Sequence, residues 1–156
     1  MRIHLLSVGT RMPKWAELGF QEYAKRMPPE NPLVLKEVAS PARARTASVA
    51  ERMSMEGERL LAALPKTPLV IALDVGGELW STQQLAAQLS AWLRGGRDVA
   101  LLVGGPDGLD KICLDRAERR WSLSPLTLPH MVVRVVVAEQ LYRASTLLRN
   151  HPYHRG

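Results

Sequence analysis

The chain has 156 residues, of which 46% are apolar and 23% charged, enough for one domain with a true core and too little polar sequence for a long disordered tract. Its single cysteine, Cys113, excludes an internal disulfide and a cysteine-rich metal site, so a reducing compartment, the cytoplasm, is expected. No apolar run approaches the roughly 18 residues of a membrane span, the first residues are too short and interrupted for a signal peptide, and a formal charge of +6 points to a polyanionic partner, most economically nucleic acid.

Arg2 to Val8 predicts a first strand ending at Gly9-Thr10. Trp15, Leu18, Phe20 and Tyr23 then recur at near-helical spacing between Pro13 and Pro28-Pro29. Leu33 to Val38 is a second strand, and Pro41-Ala-Arg-Ala-Arg45 a mobile basic loop whose Arg43 and Arg45 either meet phosphate or are solvated. Val49 to Leu64 is amphipathic through Met53, Leu60, Leu61 and Leu64, and Pro65 with Pro68 ends it. Leu69 to Asp74 is a third strand, closed by Gly76-Gly77. Ser81 caps a helix carrying Leu85, Leu89, Trp92 and Leu93, which Gly95-Gly96 stops.

Val99 to Val103 is an unbroken apolar run, hence a buried strand, and Gly104-Gly-Pro-Asp-Gly108 stops it abruptly. Such a turn delivers bare backbone to a ligand, because glycine allows close approach and Pro106 fixes one φ. No Gly-Lys-Ser/Thr follows and the glycine spacing does not fit G-x-G-x-x-G, so the ordinary phosphate fingerprints fail. A helix over Ile112 to Arg119 and a short strand over Trp121 to Leu123 come next. Strands and helices in alternation, with buried-looking strands, define an α/β domain with a mostly parallel sheet flanked by helices.

Trp121-Ser-Leu-Ser-Pro-Leu-Thr-Leu-Pro129 is a second compact loop. Val132-Val-Arg-Val-Val-Val137 favours a strand by propensity, but Leu141, Tyr142, Ser145 and Leu148 continue without a turn signal, so one long helix is predicted after Pro129. Its apolar start must be buried, either against a second subunit or against its own sheet. The tail Asn150-His-Pro-Tyr-His-Arg-Gly156 clusters His151, Tyr153, His154 and Arg155. No carboxylate or thiolate accompanies the histidines, which argues against a metal site; a tail that completes an RNA-binding site fits better.

Val8-Gly-Thr10, Leu73-Asp74, Gly104-Gly-Pro-Asp-Gly108, Leu123-Ser-Pro-Leu-Thr-Leu-Pro-His130 and Asn150-His-Pro-Tyr-His-Arg155 together resemble the small SPOUT-class methyltransferases that modify N3 of a pseudouridine in large-subunit (23S) ribosomal RNA. The resemblance runs from end to end. It implies a sheet whose carboxyl-terminal third forms a deep trefoil knot, a homodimer with cofactor sites at the interface, and no metal. It also implies an S-adenosyl-L-methionine site on Leu73, Gly104, Leu123, Ser124, Pro125, Leu126, Thr127 and Leu128, with Tyr153, His154 and Arg155 as the catalytic tail. Departures are mild: Asp107 stands where the family often has Glu, and Arg43 and Arg45 lie in a variable loop.

Methyl transfer to an imide nitrogen needs alignment and a route for the proton. His154 is the candidate base, with Tyr153 or a phosphate oxygen as rivals and phosphate binding or stacking as its other role. Arg155 and Arg134 are candidates for RNA phosphate or the cofactor carboxylate; His4 and His130 are read as structural. So small a protein has little room for a separate RNA-binding domain, which makes the assembled ribosome the expected substrate. The alternative is a non-catalytic ribosome-assembly factor that binds ribosomal RNA through its basic face.

Overall fold

Strands Ile3–Val8 (β1), Leu33–Val38 (β2), Leu69–Leu79 (β3), Val99–Val103 (β4) and the short Arg119–Ser122 (β5) form one sheet in the order β2-β1-β4-β3-β5. All four pairings are parallel. The computed structural model describes residues 1–155; Gly156, the last residue of the tail cluster, lies outside the described residues. Lys14–Ala24 (α1), Val49–Ala62 (α2), Thr82–Gly95 (α3) and Lys111–Arg116 (α4) connect successive strands, and His130–Leu148 (α5) follows the last of them.

Both faces of the sheet are covered, as a parallel sheet requires. On one face Ile3, Leu5, Ile71, Leu101 and Val103 pack with Phe20 of α1, Leu85 and Leu89 of α3, and Val137 and Leu141 of α5. On the other, Leu6, Val8, Val70, Ala72, Ala100 and Leu102 meet Leu60 of α2 and Cys113 of α4. Burial pushes the Cys113 thiol up to about 11, with Asp110 adding to it, so this lone cysteine is an inert core residue.

The capping residues act where the sequence puts them. The Ser81 hydroxyl accepts from the Gln84 amide while the Gln84 side chain accepts from the Ser81 amide, and Gly96 ends α3 in a left-handed conformation. Four expectations need correction. Gly76-Gly77 does not end β3: the register shifts between Leu73 and Glu78, both of which pair with Trp121, so residues 74–77 bulge out of a strand that continues to Leu79. A side-chain carbon on Gly77 would stand 2.6 Å from the Arg120 carbonyl carbon, so β5 can approach only a glycine here. The basic segment after Pro41 is an ordered 3-10 turn, Ala42–Thr46, anchored by buried Ala44 with Arg43 and Arg45 exposed. α4 stops at Arg116, because Arg119 already belongs to β5.

The fourth correction concerns Arg134. Its side chain is fully buried, and it donates to Ser7 Oγ at 3.0 Å, Glu37 Oε2 at 2.7 Å, the Gly9 carbonyl at 2.8 Å and the Val8 carbonyl at 3.4 Å. A guanidinium so fully engaged is not free for phosphate or a cofactor carboxylate. It ties α5 to the ends of β1 and β2. His4, by contrast, is structural as expected, paired with Asp98 at 3.0 Å. Among the described residues no helix is long and apolar enough to cross a membrane.

Candidate active site

The carboxyl ends of three neighbouring strands open into one cavity of about 770 Å³, the size and place that a small-molecule ligand takes in a parallel α/β sheet. β3 contributes Leu73, Asp74 and Val75, the last two through its bulge; β4 contributes Val103 and the loop Gly104 to Leu109; β5 leads into the loop that carries Leu123, Ser124, Leu126, Thr127 and Leu128. Of the cofactor residues expected from the sequence, Pro125 alone does not line the cavity; it points to solvent.

Both loops are shaped by their own hydrogen bonds. In the second, Ser122 Oγ donates to the Ser124 carbonyl at 3.0 Å and the Leu126 amide donates to Ser124 Oγ at 2.9 Å, which leaves Leu126 standing 72% exposed at the mouth. In the first, the Gly108 amide donates to the Gly105 carbonyl at 3.0 Å, closing the turn. A side-chain carbon at Gly104 would stand 2.4 Å from the Gly108 carbonyl oxygen, so this glycine is needed for the loop to close on itself. Asp107 then fastens the loop outward: Arg52 of α2 donates to it at 2.9 Å and to the Ala44 carbonyl at 3.3 Å, joining the cavity loop to the turn that carries Arg43 and Arg45.

His130, read from the sequence as structural, lines the cavity as the first residue of α5. Burial lowers its pKa, Arg134 lowers it further, and Glu56 opposes them, so the ring is neutral near pH 7. Asp74, Val75, Leu109 and Val133 also line the cavity, and sequence reasoning had assigned none of them to the site; the buried Glu56 lies behind Gly105, outside the lining. Glu56 carried a signal: Met53, Glu56 and Leu60 recur at helical spacing on the inward face of α2.

The tail residues are not brought to this cavity within one chain. Pro152–Arg155 forms a 3-10 turn folded back on α5. The Tyr153 ring lies 4.7 Å from that of Tyr142 and under the Arg143 guanidinium at 4.9 Å, and its hydroxyl donates to Glu139 Oε2 at 2.7 Å. Burial, then the Glu139 carboxylate, pushes the phenol above its ordinary range, so Tyr153 holds its proton and serves as a donor. His154 is half-buried, with its Nδ1 buried and without a hydrogen-bond partner, and Arg155 is exposed. No group of three metal-ligating side chains occurs among the described residues.

Tyr153→Phe is expected to cost about 1–2 kcal/mol, from the loss of a hydrogen bond to a charged acceptor. Burial works against ionised Glu139, but hydrogen bonds from Arg143 and then Tyr153 hold its pKa below the ordinary range. The carboxylate's contribution is therefore present above the ordinary glutamate range and fades as pH falls through the depressed value. Tyr153, shifted upward, contributes below the ordinary tyrosine range and loses that contribution only as pH rises through its raised value. Thermal melts should show a constant deficit for the variant around neutral pH that shrinks in strong acid. An equal deficit at every pH would rule out this ionic hydrogen bond.

Strand-end loops over a parallel sheet and a long carboxyl-terminal helix define a class, and comparison with known proteins supplies it: residues 1–154 match the family described as "Predicted SPOUT methyltransferase". The chain belongs to the SPOUT methyltransferase family. Among its relatives is a protein of Methylococcus capsulatus named ribosomal RNA large subunit methyltransferase H, 54% identical over 155 residues, which span 99% of this chain and 100% of the relative. The fold is shared with solved structures described as a probable methylase family protein from Haemophilus influenzae (TM-score 0.54, 16% identity, 97% of this chain and 69% of that one) and a probable methyltransferase from Bordetella pertussis (0.53, 20%, 92% and 95%).

Proposed function

We propose that this methyltransferase transfers a methyl group from S-adenosyl-L-methionine to N3 of a pseudouridine in large-subunit ribosomal RNA, acting in the cytoplasm on assembled ribosomes. The observation that carries the reading is the cavity at the ends of β3, β4 and β5, whose leucine-rich loop and exposed backbone suit an adenosyl group. The 54% identity, over nearly the whole of both chains, with a protein named as a large-subunit rRNA methyltransferase supports the substrate class.

The residues present fit this cofactor: apolar Leu73, Leu123 and Leu128 would flank the adenosyl group, and the loop at Gly104 offers backbone. When bound, the cofactor supplies an activated methyl group on a sulfonium that is its own leaving group. The chain must hold the acceptor nitrogen in line and take its proton, the role assigned here to His154, with Tyr153 fixed as a donor and Arg155 toward phosphate. Exposed Arg43 and Arg45, tied to the cavity loop through Arg52, extend the basic surface beside the cavity.

A homodimer belongs to this reading, since a second copy could bring its tail to the cavity that the tail of the same chain does not reach. Two surfaces favour it: α1 leaves Trp15 and Leu18 more than half exposed, and Val132, Val133, Val135 and Val136 at the start of α5 are only half-buried. Light scattering at micromolar concentration should report twice the 17.4 kDa chain mass; a fully active monomer would defeat this. A trefoil knot belongs to the same reading, because the chain leaves edge strand β5 and returns through the 123–129 loop to α5, packed on α1, α3 and β1.

The deciding experiment is transfer of a radiolabelled methyl group to ribosomes from a strain lacking the activity, beside free ribosomal RNA. Label in the large-subunit RNA of ribosomes only is expected. RNA binding with neither cofactor binding nor transfer would instead identify a non-catalytic assembly factor.

A further inference from the structure

In a parallel sheet every strand ends at the same edge, so the segment that follows β2 emerges on the edge where β3, β4 and β5 open into the cavity. That segment is the Ala42–Thr46 turn. Its two arginines, Arg43 and Arg45, are exposed, and neither guanidinium has a hydrogen-bond or ion-pair partner among the described residues. Asp107, the acid on the adjoining cavity loop, is already taken by Arg52 at 2.9 Å, and Glu37, near the end of β2, by Arg134 at 2.7 Å.

Arginines on a floppy loop would be ordinary solvated charge, but this turn is pinned. Ala44, between the two arginines, is 1% exposed; Arg52 Nε donates to its carbonyl at 3.3 Å, and Arg59 Nη1 donates to the Ala39 carbonyl just upstream at 3.2 Å. The same Arg52 holds Asp107 in the cavity wall, so one guanidinium fixes two uncommitted cations relative to the cavity loop. Such a pair suits phosphate, which a guanidinium grips with two parallel hydrogen bonds. α2, on which the turn rests, covers the face of the sheet opposite α1 and α5, so the turn is clear of the surfaces that favour a dimer.

We propose that the Ala42–Thr46 turn is an RNA-backbone contact: Arg43 and Arg45 take phosphates of the strand that carries the target nucleotide, and Arg52 is the positioning residue that keeps them in register with the cavity. The inference rests on the ribosomal RNA reading above and adds the residues that place the substrate. Phosphate contacts position a strand without reading its sequence, so the turn sets where the RNA lies and the cavity selects the base.

Ribosomes from a strain lacking the activity are the probe, with affinity measured by filter binding as salt is raised and steady-state rates measured beside it. Arg43→Ala/Arg45→Ala should weaken ribosome binding by about 10- to 100-fold, with the loss in KM rather than kcat, and should reduce the slope of log affinity against log salt by about 1 to 2, as two lost phosphate contacts require. Arg43→Lys/Arg45→Lys should keep that slope. Arg52→Met, which retains both arginines but unfastens the turn from the cavity loop, should weaken ribosomes and S-adenosylhomocysteine together and leave the slope as in wild type. Circular dichroism checks that each variant is folded. Full ribosome affinity in the double alanine variant or in Arg52→Met overturns the proposal, as does a loss with an unchanged salt slope in the former. Cys113 is buried, so Thr46→Cys places the one accessible thiol on the turn. A photo-crosslinker attached there should label ribosomal RNA, and labelling of a ribosomal protein instead overturns the assignment to phosphate. Wild type that neither binds nor methylates ribosomes overturns the ribosomal RNA reading itself, an outcome distinct from these.

Discussion

Gly104→Val should lower affinity for S-adenosylhomocysteine by roughly 10-fold or more, the loss of about 1.4 kcal/mol or more of contact with a displaced cavity wall. The cause lies inside the loop. A Cβ at 104 would meet the Gly108 carbonyl oxygen at 2.4 Å, its carbon at 2.5 Å and the Leu109 amide nitrogen at 2.8 Å, all backbone atoms that cannot rotate away. The Gly105–Gly108 bridge must then open, and with it the wall that carries Asp107 and Leu109. The sheet survives, since β4 is paired with β1 and β3 upstream of the clash. Calorimetry for affinity and circular dichroism for the fold separate the two effects, and unchanged affinity in a folded variant would remove this loop from the site.

Removing residues 150–156 should abolish methylation while leaving the dimer in place, and His154→Ala alone should lower turnover by roughly 10². The truncation removes the Tyr153 ring from Tyr142 and the phenol from Glu139, so a modest fall in melting temperature accompanies it. The core of α5 keeps its main partners: Val137, Ala138, Leu141 and Ala144 are buried with Phe20, Leu85 and Leu89 in a cluster against which Tyr153 is one of several partly buried side chains. Steady-state rates and ribosome affinity must be measured together. If His154→Ala raises KM and spares kcat, the imidazole binds RNA and the proton leaves by another path.

What the sequence revealed and what it hid follow from the range of the forces involved. β1, β2 and β4 are short segments rich in valine, leucine and isoleucine with glycine or proline close to one end, and α3 carries its capping residues at both ends, so local chemistry places them. The valine-rich start of α5 is helical against its propensity because packing against α1 and α3 decides it. Gly76-Gly77 misled because a glycine pair marks a turn and a bulge alike, and only the arrival of β5 chooses between them. The two cavity loops were legible because strands ending in glycine or proline clusters advertise themselves, and the family resemblance named their residues. The roles of Glu56, His130 and Arg134 were not: helical spacing turns Glu56 inward but gives it no role, His130 read as structural and Arg134 as a binding residue, because the neighbours that decide each are distant in sequence.

The four hydrogen bonds of Arg134 also impose an order on the birth of the molecule. Its partners on β1 and β2 are translated 97 to 127 residues earlier, and at about 5–20 residues per second the wait for the guanidinium is on the order of 5–25 s. β1 meets a similar delay at its other edge, because β4, which fills the middle of the sheet, follows 96 residues behind in register. The first two strands therefore emerge with no finished sheet to join. Folding is deferred until nearly the whole chain has been made, and the amino-terminal half passes that interval as a client for whatever protects nascent chains.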